Sequence, residues 1–110
     1  MKLGDYWLCH NGDQFSWYDE DELVAAVEIR EQNGFKWICG VYVSPLYRRH
    51  GIGAQLLQFA IILGGKRLRV SKTNKTAKTL YEKCGFCVFD ADNKFFYMRL
   101  EALKDGSTTD

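Results

Sequence analysis

Long apolar runs are absent from this sequence. No uninterrupted apolar stretch is longer than residues 59–63, whereas a membrane-spanning helix needs about 20 apolar residues. Residues 1–5 lack the apolar core of a signal peptide, and no segment resembles a transit sequence. We therefore expect a cytoplasmic protein without a membrane anchor.

Linkers, internal repeats and low-complexity tracts are missing as well. At 110 residues the chain is long enough for one core and too short for a separate substrate domain. We predict a single domain over residues 1–104, followed by a flexible polar tail over residues 105–110.

Cysteine and histidine are too scattered to favour a metal site. The four cysteines are Cys9, Cys39, Cys84 and Cys87. The Cys84-x-x-Cys87 spacing is compatible with zinc, but the other two cysteines have neither paired spacing nor a histidine partner. We expect reduced thiols in the core and no bound metal.

Acidic residues are absent between Gln32 and Tyr81, where nine lysines and arginines lie. Residues 1–31, by contrast, carry eight acids against two bases. A basic central zone favours a polyanionic ligand, either a phosphorylated cofactor or a nucleic acid.

Two periodicities divide the chain. Residues 23–30 have the period of a strand with one buried face, and Asn11-Gly12 and Asn33-Gly34 are typical hairpin turns. We predict an antiparallel meander of up to four strands before Pro45. The elements predicted after it are a helix between Gly51 and Gly64, a strand over residues 66–71, a helix from Asn74 to Gly85, and strands over residues 86–89 and 94–100.

The most informative segment joins the fourth strand to the first helix. Its sequence is Val41-Tyr42-Val43-Ser44-Pro45-Leu46-Tyr47-Arg48-Arg49-His50-Gly51-Ile52-Gly53-Ala54. Gly51 and Gly53 free the backbone of side-chain bulk, so consecutive N–H groups can converge on an anion at the positive end of the helix dipole. Arg48 and Arg49 add positive charge. The loop therefore predicts a pyrophosphate site.

This segment resembles the acyl-CoA-binding motif Arg-x-x-Gly-x-Gly of the GNAT family of N-acetyltransferases. A second segment, Asn74-x-x-Ala77-x-x-x-Tyr81-x-x-x-Gly85-Phe86, resembles another signature of the same family. Two motifs in this order are more specific than a lone glycine loop. The resemblance covers about residues 22–100.

The resemblance implies an α/β (α+β) protein with a GNAT-like acyl-CoA N-acyltransferase fold. That fold has a central mixed, mostly antiparallel sheet and two main helices. The family usually places two further helices between its first and second strands, and here they are missing or severely shortened. Their reduction suggests an open acceptor site, or one whose wall a partner subunit completes in a homodimer.

The resemblance also assigns contacts with coenzyme A (CoA). Backbone groups of residues 41–43 would bind the pantetheine arm between two splayed strands, and one N–H there would polarise the thioester carbonyl. Asn74 would contact pantetheine, with simple helix capping as the alternative. Tyr81 would be the general acid beside the CoA sulfur, with a core tyrosine as the alternative. The expected CoA-binding residues are Val41, Tyr42, Val43, Arg48, Arg49, His50, Gly51, Ile52, Gly53, Ala54, Asn74 and Tyr81.

The general base is not assigned by the resemblance. Family members often carry glutamate where this sequence has Trp37 and Arg69. Glu28, on the adjacent strand, is our catalytic candidate; a water relay and a merely solvated carboxylate are the alternatives. The acidic run over residues 19–22 could attract a cationic amine or form a solvated turn.

The leading hypothesis is transfer of an acetyl group from acetyl-CoA, as co-substrate, to a primary amine by direct attack in a ternary complex. The acceptor would be a small molecule or a protein side chain, and no cysteine has an activated setting that favours an acyl-enzyme. We expect no membrane partner. A catalytically silent CoA-binding module is the alternative, followed by a nucleic-acid-binding domain.

Overall fold

The computed structural model describes residues 2–101. The tail predicted over residues 105–110, and the domain end predicted at residue 104, lie outside the described residues. The described part forms one seven-stranded sheet and two α-helices, with short 3₁₀ turns at Leu3–Asp5 and Pro45–Tyr47. The elements are β1 (Trp7–Asn11), β2 (Gln14–Asp19), β3 (Glu22–Gln32), β4 (Phe35–Val43), α1 (Ile52–Ile62), β5 (Gly65–Ser71), α2 (Lys75–Lys83), β6 (Phe86–Ala91) and β7 (Phe95–Leu100).

The first four strands form the predicted antiparallel meander. Only Gly12 and Asp13 separate β1 from β2, so within the described residues no helix lies between the first two strands, as we predicted. Gly12 has a φ of +61°, a left-handed conformation that the Asn-Gly turn tolerates without a Cβ clash.

The second half of the chain makes the sheet mixed. The strand order is β1-β2-β3-β4-β5-β7-β6, and α1 connects β4 to its parallel neighbour β5. All other neighbouring strands are antiparallel. The predicted fold class, a mostly antiparallel mixed sheet with two main helices, is therefore confirmed.

The core lies between the helices and one face of the sheet. α1 buries its apolar side against β3, β4 and β5, and α2 packs Leu80 and Tyr81 against the same core. The buried residues of α1 are Ile52, Leu56, Leu57 and Ala60, each at most 1% exposed. On β5, Leu68 and Val70 point into this core, so Arg67 and Arg69 lie on the opposite side. We call that side the open face.

The prediction that the cysteines are core thiols is wrong for three of the four. Cys9, Cys39 and Cys87 are exposed, whereas Cys84 is partly buried at the end of α2. Cys9 lies on the fully exposed edge strand β1, and Cys87 lies on the other edge strand, β6. The helical spacing correctly placed Cys84 beside the core. Cys9 and Cys87 are exposed because an edge strand has no neighbouring strand on its outer side.

Among the described residues, no helix combines the length and the apolar character needed to cross a lipid bilayer.

Candidate active site

β4 and β5 are paired at one end and separate at the other. Their parallel pairing ends at Ile38 and Leu68, although β4 continues to Val43 and β5 continues to Ser71. The backbone of residues 41–43 therefore pairs with β3 on one side and has no β5 partner on the other. Such a gap can accept an extended ligand as an additional strand.

A β-bulge in β4 is the local cause of the separation. Glu28 and Ile29 of β3 pair with Gly40 and Ile38, so Cys39 is an extra residue without a partner. A bulge bends its strand and increases the local twist, which turns the second half of β4 away from β5.

The N-terminus of α1 is open. Gly51 precedes the helix with a φ of +76° and provides no side-chain cap. The first intrahelical hydrogen bond runs from the Gln55 N–H to the Gly51 carbonyl, at 3.2 Å. The N–H groups before it have no intrahelical partner and belong to Ile52, Gly53 and Ala54. Together with the helix dipole they can bind a phosphate.

The basic residues of the loop have two different positions. Arg48 donates from Nε to the Val43 carbonyl at 2.9 Å and thereby ties the loop to the end of β4. Arg49 and His50 are exposed and have no side-chain hydrogen-bond partner among the described residues. Arg49 has a φ of +69°, so the loop contains a second left-handed residue two positions before Gly51.

Gly53 lies where the two helices meet. A Cβ added to this residue would lie 3.2 Å from Cδ2 of Leu80 on α2. The two glycines of the motif thus have separate structural roles: Gly51 adopts the positive φ of the loop, and Gly53 allows α1 and α2 to approach each other.

The second motif is placed on α2. Asn74 is the N-cap, which was the alternative to its predicted pantetheine contact, and its Oδ1 accepts from the Ala77 N–H at 3.1 Å. The Tyr81 ring packs edge-on against Phe86, while its hydroxyl has no partner among the described residues. Burial raises the pKa of Tyr81 above its ordinary value of 10, so the phenol is neutral at physiological pH.

Two lysines of α2 were not singled out by the sequence analysis. Lys75 and Lys83 line a cleft of about 510 Å³ along the helix, together with Thr76, Thr79 and Leu80. Leu80 also faces Gly53, so this cleft lies beside α1. The i, i+4, i+8 spacing of Lys75, Thr79 and Lys83 was the available signal for a shared face.

A cleft of about 480 Å³ lies on the open face, and we call it the open-face cleft. Cys39, the bulge residue of β4, lines it, so the cleft begins where β4 and β5 separate. It brings together residues from β3, β4, β5 and β7. The side chains that matter most for its chemistry are Glu28, Arg30, Trp37, Arg69 and Tyr97.

Among the described residues, Glu28 is the only carboxylate that lines this cleft. Its Oε2 accepts from Arg30 Nε at 2.6 Å, and its Oε1 has no partner among the described residues. Trp37 and Arg69, where the resemblance led us to expect glutamates, line the same cleft. The sequence alone could not reveal this grouping, because Arg69 on β5 and Tyr97 on β7 are far along the chain from Glu28 and Trp37.

The acidic run of residues 19–22 lies away from this cleft. Asp19 accepts a hydrogen bond from the Tyr47 hydroxyl at 3.1 Å, at the start of the loop before α1. Burial, supported by this bond, raises the pKa of Tyr47 to about 12. Glu20 forms the β2–β3 turn with a φ of +55°. The turn interpretation fits this placement better than recruitment of an amine.

The thiols near the site are poor nucleophiles. Partial desolvation, together with the nearby Glu28 carboxylate, raises the pKa of Cys39 although its side chain is largely exposed, and partial burial raises the pKa of Cys84. Since the thiolate is the reactive form, neither residue is activated by its surroundings.

Comparison with known proteins gives the family. The profile of the "Acetyltransferase (GNAT) family" matches residues 2–86 of this chain. Among curated proteins, none matches. Solved structures supply similar folds, and at identities below 25% their likeness concerns the fold alone.

Three of these structures are informative. PaiA N-acetyltransferase from Thermoplasma acidophilum, solved in complex with coenzyme A, is 24% identical with a TM-score of 0.70; the match covers 81% of this chain and 60% of that one. PH1933 from Pyrococcus horikoshii is 22% identical with a TM-score of 0.72, covering 84% and 67%. Arabidopsis thaliana Naa50, in complex with the bisubstrate analogue CoA-Ac-MVNAL, is 23% identical with a TM-score of 0.66, covering 81% and 72%.

The chain therefore spans 60% of the length of PaiA. The family profile, in contrast, covers most of this chain and includes both motifs as far as Phe86. The bulged β4, its divergence from β5 and the open N-terminus of α1 lie within the matched region. This chain belongs to the GNAT acetyltransferase family.

Proposed function

We propose that this protein transfers the acetyl group of acetyl-CoA to a primary amine by direct attack in a ternary complex. The observation that carries the proposal is the divergence of two parallel strands beside an uncapped helix N-terminus. Together these features offer an extended backbone partner and a phosphate site to one long anionic molecule.

The residues present fit CoA at both ends. The N–H groups of residues 52–54 would bind the pyrophosphate, with charge from Arg49. Lys75 and Lys83 would attract the further phosphate. Unpaired backbone groups of residues 41–43 would hold the pantetheine amides, and the free amide nitrogen of Asn74 could add a contact. CoA supplies the activated thioester that is to be aminolysed.

Positioning of the thioester and the amine would provide much of the rate acceleration. Holding thioester and amine in the same cleft makes the reaction effectively unimolecular, which is worth about 7–11 kcal/mol when alignment is good. The bulge directs β4 backbone groups towards the apex of the gap, where an N–H would stabilise the developing oxyanion.

Tyr81 would protonate the departing thiolate. Its hydroxyl has no protein partner among the described residues, and burial keeps its pKa above 10. A thiol has a reference pKa of about 8.5, so a neutral phenol can donate to the thiolate as it forms.

Glu28 would receive a proton from the amine, directly or through water. An alkylamine with a pKa of about 10.4 is almost wholly protonated at pH 7, and neutralising it costs about 4.6 kcal/mol. Glu28 lines the cleft on the side of the sheet opposite the helices and has one free oxygen. A small-molecule amine fits the cleft, and the amine of a protein side chain could reach it because neither of the two described helices covers the open face.

The test is release of free thiol from acetyl-CoA in the presence of an amine panel. We expect amine-dependent turnover in the wild type and a loss of at least about tenfold in Glu28→Gln. Glu31→Gln is the matched control, because Glu31 is exposed on the same strand and lies outside the open-face cleft.

Calorimetry with CoA separates the alternatives. Binding without turnover on any amine would favour the silent CoA-binding module. No heat with CoA or acetyl-CoA, combined with salt-dependent oligonucleotide binding, would favour the nucleic-acid hypothesis and overturn the proposal.

A further inference from the structure

We propose that the acceptor amine carries an anionic group, a carboxylate or a phosphate, which the open-face cleft recognises through Trp37 and Arg69. This inference rests on the proposed function, since it concerns the substrate of the same site. It comes from the balance of hydrogen-bond donors and acceptors in the cleft.

The first observation is an orphaned donor. Trp37 Nε1 is buried and has no hydrogen-bond partner, alone among the buried side-chain polar atoms of the described residues. Buried polar groups are nearly always paired, and an exception needs an explanation. Trp37 lines the open-face cleft, and because its Nε1 has almost no exposed surface, a ligand oxygen in that cleft would accept from this N–H after a small shift of the indole ring.

The second observation is a guanidinium without a carboxylate. Arg69 lies 4.2 Å from the centroid of the Phe95 ring and interacts with Tyr97. It forms no ion pair with any described residue. Asp92 is linked to Arg69 only indirectly, through Tyr97. Its carboxylate already accepts from the Tyr97 hydroxyl and from the N–H groups of Lys94 and Phe95.

The third observation is the position of the only carboxylate. Glu28 lies on β3 and is held by Arg30, whereas Arg69 lies on β5 and pairs in register with Tyr97 of β7. β4 lies between β3 and β5, so the cleft presents its carboxylate on one side and, on the other, an arginine without an ion pair among the described residues. A ligand with an ammonium group and an anionic group would complement both.

The size of the cleft agrees with this class of ligand. A volume of about 480 Å³ lies within the usual range of small-molecule sites. Arg69 can bind a carboxylate or a phosphate with two parallel hydrogen bonds, while Trp37 Nε1 donates a third. An alkylamine without the anion would leave Trp37 Nε1 unpaired and would leave Arg69 without an ionic partner.

The activity test compares matched amines. We expect kcat/KM for 4-aminobutanoate to exceed that for butylamine by about tenfold or more, because hydrogen bonds to charged groups discriminate on that order. O-phosphoethanolamine against ethanolamine is the phosphate arm, and the larger of the two ratios identifies the anion. Equal kcat/KM values within both pairs would overturn the inference and leave the proposed acetyl transfer intact.

Variants locate the effect. Trp37→Phe keeps the ring packing and removes the N–H, and Arg69→Gln removes the charge. Each should reduce the preferred ratio by about tenfold, and because this ratio divides by the turnover of the uncharged amine, a general loss of activity would leave it unchanged. Arg99→Gln is the control, since Arg99 is paired with Glu101 and does not line the cleft. A ratio unchanged in Trp37→Phe and Arg69→Gln would contradict the assignment.

A binding test does not require turnover. The chain has three tryptophans, and the indole ¹⁵N–¹H signal of Trp37 is the one missing from Trp37→Phe. We expect 4-aminobutanoate or O-phosphoethanolamine to shift this signal, whereas butylamine leaves it in place. If acetyl-CoA alone shifts it and the anionic amines do not, Trp37 serves the acyl donor and the inference is wrong.

Discussion

Gly51→Ala tests the phosphate loop most directly. Gly51 has a φ of +76°, and an added Cβ would meet no atom within 4 Å. The cost is therefore one of backbone conformation alone, about 1–2 kcal/mol for an L-residue held in the left-handed region. Gly12→Ala is a matched control, since Gly12 has a φ of +61°, equally open space and a position in the distant β1–β2 turn.

In the two variants the same conformational free-energy cost should be divided differently between protein stability and CoA affinity. In Gly12→Ala the whole cost should reduce stability, lowering Tm by about 4–8 °C for each kcal/mol in a domain near this size, without changing the Kd of CoA. In Gly51→Ala the exposed loop can relax to a negative φ. CoA must then restore the bound conformation, so its Kd should rise by up to about fivefold for a cost of about 1 kcal/mol and up to about thirtyfold for about 2 kcal/mol.

The measurements are thermal unfolding without ligand and calorimetric titration with CoA. For Gly51→Ala, the loss of stability and the loss of binding free energy should add up to about 1–2 kcal/mol. If both stability and affinity match the wild type, residue 51 does not need a positive φ and the account of the loop is refuted. If CoA affinity falls equally in Gly12→Ala, the effect is not specific to the loop.

Three further substitutions test the proposed general acid Tyr81, the turn before β7 that contains Asp92, and the core residue Leu56. Tyr81→Phe should reduce kcat by about 10²-fold or more while leaving the Kd of CoA nearly unchanged; full turnover would remove Tyr81 as the acid, and Tyr18→Phe is the control. Hydrogen bonds from Tyr97 and from two backbone N–H groups lower the pKa of Asp92 from 3.8 to about 2. Its stabilisation is complete above pH 4 and is lost as the pH falls through 2. Asp92→Asn should therefore lower the urea midpoint more at pH 7 than at pH 3, and an equal shift at both pH values would contradict the charge-based reason. Leu56 is fully buried on α1, so Leu56→Ala should lower the free energy of unfolding by about 2–5 kcal/mol. Urea titration measures this loss. A loss below about 1 kcal/mol would show that the core collapses around the cavity.

Much of the fold was predictable because its signals are local. Asn11-Gly12 specified the first hairpin, and the change from a period of two to one of 3.6 marked the start of α1 after Gly51. Asn74 was recognisable as an N-cap because its side chain bonds a backbone group only three residues away. Element ends differed by only a few residues, as at β6, which continues to Ala91.

The exposed cysteines show the limit of such local signals. A strand residue can face the core, a ligand or solvent, and the pattern of one strand does not say what covers it. Cys39 is exposed because a bulge shifts the register of β4 against β3, and no short-range pattern in residues 35–43 marks that extra residue.

The sequence by itself determined the family and the loop that precedes α1, because glycines, arginines and the two motifs act through neighbouring residues. Only the tertiary structure decided that β4 and β5 separate after Ile38 and Leu68. It also brought Glu28, Trp37 and Arg69 into one cleft. These residues come from three strands, and their meeting depends on sheet order, register and a bulge, which are set by long-range pairing and burial rather than by adjacent side chains.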